Sequence, residues 1–139
     1  MRAAAGAYVV TLLALGAGDA VWLSTMLQTY RRALGDLLAA TPALLPAVLF
    51  YLLYAAGVVT LVVLPSATER RRGLVAARGA LFGLVAYGTY DLTNEATLRD
   101  WPVWLTALDM AWGTVLTTFA ATLAHVIASR LARREASLV

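Results

Sequence analysis

The sequence contains no cysteine and no lysine, and its 139 residues include a single histidine. Without cysteine, the chain cannot form disulfides, thiolate metal sites or a cysteine nucleophile. Charged residues make up only 14% of the chain, whereas hydrophobic residues make up 61%. A water-soluble domain of this size is far less apolar, so the sequence predicts an integral membrane protein whose first partner is the lipid bilayer.

Four apolar runs are long enough to cross a bilayer as helices, which takes about 20 residues each. They cover about residues 3–27, 42–64, 79–98 and 103–129. We therefore predict an all-α fold, a polytopic membrane four-helix bundle that forms a single membrane domain over residues 1–139. A cleaved secretory signal is the alternative reading of the first run, but apolar sequence resumes at residues 21–23, beyond the possible cleavage point.

The connection between the first two runs has a helical pattern of its own. Tyr30, Leu34, Leu37 and Leu38 recur at helical spacing, and charged residues fall between them. This pattern predicts a short interfacial helix over about residues 30–39, with its apolar side towards the lipid. Two roles remain open for it: a connector that covers the bundle, or a lid over a cavity that opens outward.

All eleven strongly basic residues are arginines, and they gather at the ends of the apolar runs. With four spans, one side of the membrane receives Arg2, Arg70, Arg71, Arg72, Arg78, Arg130, Arg133 and Arg134, and the other receives Arg31, Arg32 and Arg99. By the positive-inside rule, we predict a bacterial cytoplasmic membrane protein with both termini in the cytoplasm. Arginines placed in this way indicate membrane topology, and nucleic acid is not expected as a partner.

Three aspartates lie inside the predicted spans, where each costs roughly 2.5–3.5 kcal/mol on insertion scales. Helical rise places Asp19, Asp91 and Asp109 all roughly 9–12 Å below the outer boundary of the bilayer. The predicted topology therefore brings three carboxyl groups to one level in the outer half of the membrane.

Aromatic and amide side chains are predicted at the same level. Tyr51 and Tyr54 descend to it in the second run, and four polar residues of the third run form one helical stripe. Trp22 and Trp112 each follow an aspartate by three residues, so each indole N–H can reach a carboxylate. The predicted polar site consists of Asp19, Trp22, Tyr51, Tyr54, Tyr87, Tyr90, Asp91, Asn94, Asp109 and Trp112.

Such a cluster has a structural explanation, which is that its hydrogen bonds hold the helices together. However, placing three ionisable carboxyls in the membrane costs more free energy than those hydrogen bonds contribute. We therefore expect a site that binds a small molecule or lipid headgroup, and the residues leave open whether it is also catalytic. An accessory subunit of a larger membrane protein complex and proton-coupled or ion transport are the alternatives. No local metal motif is present, no metal site is predicted, and the cofactor is unknown. His125 is 16 residues from Asp109 along the fourth run, too far to share the site.

Four sequence blocks resemble those of a known family. They are GDAVWL at residues 18–23, FYLLYAAG at 50–57, YGTYDLTNEATL at 87–98 and DMAWG at 109–113. They are similar to the signature blocks of a bacterial family of predicted four-helix membrane proteins, classed only as a domain of unknown function. The resemblance covers nearly the whole chain. It implies a four-helix fold, supplies no activity, substrate or cofactor, and suggests as family features Asp19, Tyr51, Tyr54, Asp91, Asn94, Asp109 and Trp112.

Overall fold

The structure is a computed structural model that describes residues 2–67 and 71–136. In chain order the long helices of this part are α1 (Arg2–Leu34), α2 (Leu44–Val58), α3 (Arg72–Thr97) and α4 (Val103–Ala136). A π-helical turn (Val59–Val63) and a 3-10 turn (Leu64–Ser66) prolong α2. The described residues contain no strand, and the predicted all-α helical bundle is confirmed. Arg70, counted above among the arginines of one membrane side, lies outside the described residues.

Within the described residues, three segments are long and apolar enough to cross a membrane: Arg2–Leu37, Leu44–Ser66 and Val103–Ala132. Among the described helices α3 does not meet that criterion, because charged and polar residues lower its hydropathy. Its 26 residues correspond to about 39 Å of helix, more than the hydrocarbon core of a bilayer. That α3 crosses the membrane beside the others stays a prediction.

The segment after α1 differs from the predicted interfacial helix over residues 30–39. α1 continues without interruption to Leu34 and is followed by a short 3-10 turn, Gly35–Leu37. No glycine or proline occurs between residue 19 and Gly35, so nothing in the backbone stops the helix earlier. Gly35 has a φ of +50°, a left-handed conformation that ends helices and suits glycine. Tyr30 therefore belongs to the body of α1.

α4 packs against both α1 and α3, and both pairs are antiparallel. At Gly83 of α3, an added Cβ would lie 2.5 Å from the carbonyl oxygen of Gly113, so the two backbones nearly touch. Such close approach through small residues is typical of membrane helix pairs. Gly6 of α1 faces Leu131 of α4, whereas Gly18 faces Leu116. The start of α1 and the end of α4 consequently lie at the same end of the bundle.

The buried faces of three helices explain where the aspartates point. Each face repeats about every four residues, as a helix packed along one side requires. The buried series is Ala7, Thr11, Leu15 and Asp19 on α1, Val75, Gly79, Gly83, Gly88 and Asp91 on α3, and Leu105, Asp109, Gly113, Thr117 and Ala121 on α4. Each aspartate belongs to the packing face of its own helix: Asp19 follows Leu15 by four residues, Asp91 follows Gly88 by three, and Asp109 follows Leu105 by four. The same packing that builds the core therefore turns all three carboxyls inward.

Candidate functional site

A cavity of about 160 Å³ lies between the helices where the three aspartates meet. All four helices contribute to its walls. The lining residues are Asp19, Trp22, Leu23, Tyr30, Tyr51, Tyr87, Tyr90, Asp91, Asp109 and Trp112. Eight of the ten residues predicted for the site are among them; Tyr54 and Asn94 are not.

Asp19 of α1 has both carboxylate oxygens occupied by donors from other helices. The Tyr51 hydroxyl of α2 donates to Oδ2 at 2.9 Å, and Nε1 of Trp112 on α4 donates to Oδ1 at 3.0 Å. The Trp112 ring stacks on Trp22, with ring centroids 4.4 Å apart and planes only 9° apart. Asp19 therefore connects three helices and orients the indole wall of the cavity.

Asp109 of α4 takes part in a second chain of hydrogen bonds. Nε1 of Trp22 donates to the Tyr30 hydroxyl at 2.9 Å, and that hydroxyl donates to Oδ1 of Asp109. Tyr30 lies two turns beyond Trp22 on α1, and its side chain points back along the helix, as helical side chains do. This tyrosine closes one side of the cavity and links α1 to α4.

Asp91 of α3 differs from the other two aspartates. Its side chain is 0% exposed, and neither Oδ1 nor Oδ2 has a hydrogen-bond partner in residues 2–67 and 71–136. Buried polar atoms are nearly always hydrogen-bonded, and leaving one unpaired costs about 1–3 kcal/mol. Asp91 also lines the cavity. The structure thus contains an unpartnered buried carboxyl at the wall of an internal space.

The other residues predicted for the site are Tyr54, Tyr87, Tyr90 and Asn94. The Tyr54 hydroxyl shares a hydrogen bond of 2.8 Å with Oγ1 of Thr117, away from the cavity. Tyr87 lines the cavity and lies edge-on to Tyr54, at a centroid distance of 6.4 Å. Tyr90 makes a similar edge contact with Trp101 at 6.2 Å. Asn94 is half-buried on α3, one turn beyond Tyr90, and does not reach the cavity.

Two lining residues, Tyr30 and Leu23, are absent from the predicted site, and Tyr30 is absent because the sequence pattern predicts it in the membrane interface. The signal was its spacing: Asp19, Trp22 and Tyr30 lie at i, i+3 and i+11 on one uninterrupted helix and so share a face. The predicted interfacial helix over residues 30–39 assigns Tyr30 to a separate element and so obscures that relation. Leu23, which also lines the cavity, carries no comparable signal.

The three carboxyls are not arranged as the ligands of one metal ion. No group of three or more histidine, aspartate or glutamate side chains in the described parts of the chain is arranged to hold a metal ion. Asp19 and Asp109 each turn towards aromatic donors. His125 is buried on α4 but does not line the cavity. The cavity combines three carboxyl groups with six aromatic side chains, which suits hydrogen bonding to a molecule between them.

Comparison with known proteins places the chain in a family. No curated protein and no solved structure matches it. A family model described as "Predicted membrane protein (DUF2177)" matches residues 4–126, a range that includes every residue lining the cavity. This agrees with the resemblance carried by the four sequence blocks. The chain is therefore an integral membrane protein and belongs to the DUF2177 family of predicted membrane proteins, a family of unknown function.

Proposed function

We propose that this protein binds a small molecule or a lipid headgroup in the cavity lined by Asp19, Asp91 and Asp109. The observation that carries the proposal is Asp91, which lines this cavity and whose two buried oxygens have no partner in the described residues. A bound molecule with hydrogen-bond donors satisfies both oxygens and removes the cost of leaving them unpaired.

A purely structural role accounts for Asp19 and Asp109 but not for Asp91. The first two accept hydrogen bonds from other helices and can hold the bundle together. Asp91 makes no such bond within the part of the chain that the structure describes. A buried group that weakens the fold where it lies is typical of a site kept for function.

The size and accessibility of the cavity support a small ligand. A cavity of about 150 Å³ holds a molecule the size of benzene, so 160 Å³ admits a headgroup fragment and not a whole lipid. Two lining residues, Leu23 and Tyr90, are 49% and 59% exposed. The cavity therefore reaches the surface of the bundle beside them, and a ligand can enter there from the surrounding lipid or from water.

Native mass spectrometry tests this proposal. We expect the full-length protein, purified in mild detergent, to carry a bound molecule of defined mass, and we expect Asp91→Asn to lose it. The isosteric amide keeps the shape of the side chain but replaces one of the two acceptor oxygens with a donor. Asp36→Asn is the matched control, because Asp36 is exposed in the turn after α1. The proposal is wrong if no molecule is bound, or if Asp91→Asn retains it fully.

We also propose that both termini face the cytoplasm, so that the cavity lies in the outer half of the bilayer. Arg2 and Arg130 lie at the end of the bundle where α1 begins and α4 ends, and α3 begins there with Arg72. Asp91 and Asp109 lie towards the other end. We expect a C-terminal green fluorescent protein fusion in a bacterial host to fluoresce and a C-terminal alkaline phosphatase fusion to be inactive. The reverse pattern contradicts this orientation.

A further inference from the structure

We infer that the group held in this cavity is a primary ammonium group, of a free amine or of an amine-bearing lipid headgroup. The inference rests on the proposed function and adds the chemical class of the ligand. Three features support it: the charge of the lining, the balance of hydrogen-bond donors and acceptors, and the aromatic walls.

The charge of the lining favours a cation. Three of the ten lining residues are aspartates, and none of the ten is arginine, lysine or histidine. Carboxylates removed from water need a positive partner close by, or they must take up protons. An anionic ligand such as a phosphate would meet three acidic side chains with no basic side chain to compensate.

The donor balance favours a cation that has N–H groups. The indole and hydroxyl donors of Trp22, Tyr30, Tyr51 and Trp112 are already directed at Tyr30, Asp109 or Asp19. Asp91 is left with two unpaired acceptors. A primary ammonium has three N–H donors on one atom and can satisfy both. A quaternary ammonium has none, so it would leave the Asp91 oxygens unpaired.

The aromatic walls favour an ammonium over a neutral hydroxyl group. Six of the ten lining residues are aromatic, namely Trp22, Tyr30, Tyr51, Tyr87, Tyr90 and Trp112. Aromatic faces attract cations within about 6 Å of the ring centre, most strongly where water is excluded. An ammonium group on a short carbon chain can thus donate its N–H groups to the carboxylates while its charge interacts with the aromatic rings.

The test is a thermal-shift titration of the full-length protein in detergent with three probes at equal ionic strength. We expect ethylammonium chloride to raise the unfolding midpoint saturably, and tetramethylammonium chloride to bind about tenfold more weakly or worse, because it lacks N–H donors. Glycerol, the neutral probe, should give no saturable shift. Asp91→Asn should weaken ethylammonium binding by about tenfold or more, and Asp36→Asn should leave it unchanged.

Two nanodisc arms distinguish the sources of the ammonium group. A lipid source predicts that Asp91-dependent stabilisation appears in phosphatidylethanolamine and not in phosphatidylcholine. A free-amine source predicts no difference between the two lipids, with ethylammonium stabilising the protein in both. Either result supports the inference.

The inference is overturned if tetramethylammonium binds as well as ethylammonium, if Asp91→Asn leaves amine binding intact, or if neither amine source binds. The comparison of the two ammonium ions on the wild-type protein stands by itself should Asp91→Asn fail to fold. An Asp91-dependent bound molecule without an amino group would refute the ligand class and leave the proposed function standing. Absence of any bound molecule would refute both.

Discussion

Replacing Asp91 with alanine is expected to raise the free energy of unfolding of the ligand-free protein by about 1–3 kcal/mol, whereas Asp19→Ala lowers it by a similar amount. The two variants remove the same atoms from the same cavity. They differ in what those atoms contact. Asp91 is buried without a partner among the described residues, so its removal relieves an unpaired polar group. Removing Asp19 creates two such groups, the Tyr51 hydroxyl and the Trp112 indole N–H.

The measurement is reversible unfolding in detergent after the protein has been freed of small molecules and lipid by exchange. Adding back the ligand should make the wild type more stable than Asp91→Ala, because the wild type gains stability on binding and Asp91→Ala does not. Equal losses of stability for the two variants would mean that all the aspartates hold the bundle together and that the cavity is not a binding site.

Gly113→Ala is expected to reduce the free energy of unfolding by at least about 2 kcal/mol and to abolish ligand binding. A Cβ at this position would lie 2.1 Å from both Cγ and Cδ2 of Tyr87, so the ring must move. Tyr87 cannot retreat freely, because it packs against Tyr54. Since Tyr87 lines the cavity, its displacement changes the site as well as the α3–α4 contact.

Gly16→Ala is the matched control for this prediction, because it also places a methyl group on a helix of the bundle. A Cβ at Gly16 meets nothing within 4 Å. We expect the control to be neutral or to stabilise α1 by up to about 1 kcal/mol, since alanine favours helices over glycine. Unfolding midpoints and the ligand affinity of both variants check the prediction. Similar behaviour of the two variants would contradict the close contact between Gly113 and Tyr87.

Most of the fold and the meeting of the aspartates could be predicted from the sequence. Helix length and hydropathy locate the helices, and a fixed rise per residue gives the depth of each polar residue. These two rules suffice to bring Asp19, Asp91 and Asp109 to one level. Hydropathy does not, however, give the end of α1. The apolar run ends near residue 27, but the hydrogen-bonded helix continues to Leu34. That difference is why the predicted site does not include Tyr30.

Partner choice within the site could not be predicted, because it depends on how the helices are rotated against one another. Both tryptophans were expected to reach a carboxylate. The Trp112 indole on α4 donates to Asp19 on α1, whereas the Trp22 indole donates to the Tyr30 hydroxyl. Tyr54 is predicted at the level of the carboxyls, but its hydroxyl hydrogen-bonds Thr117 and the residue does not line the cavity. That Asp91 has no partner in the described residues follows only from the packed arrangement.

The most direct test of the account is an experimental structure of the full-length protein in lipid nanodiscs that contain phosphatidylethanolamine. The account predicts density for a non-protein group between the four helices, with an atom at about 2.7–3.2 Å from an Asp91 carboxylate oxygen. An Asp91 carboxyl paired with a protein side chain, in a cavity without any bound group, would contradict it.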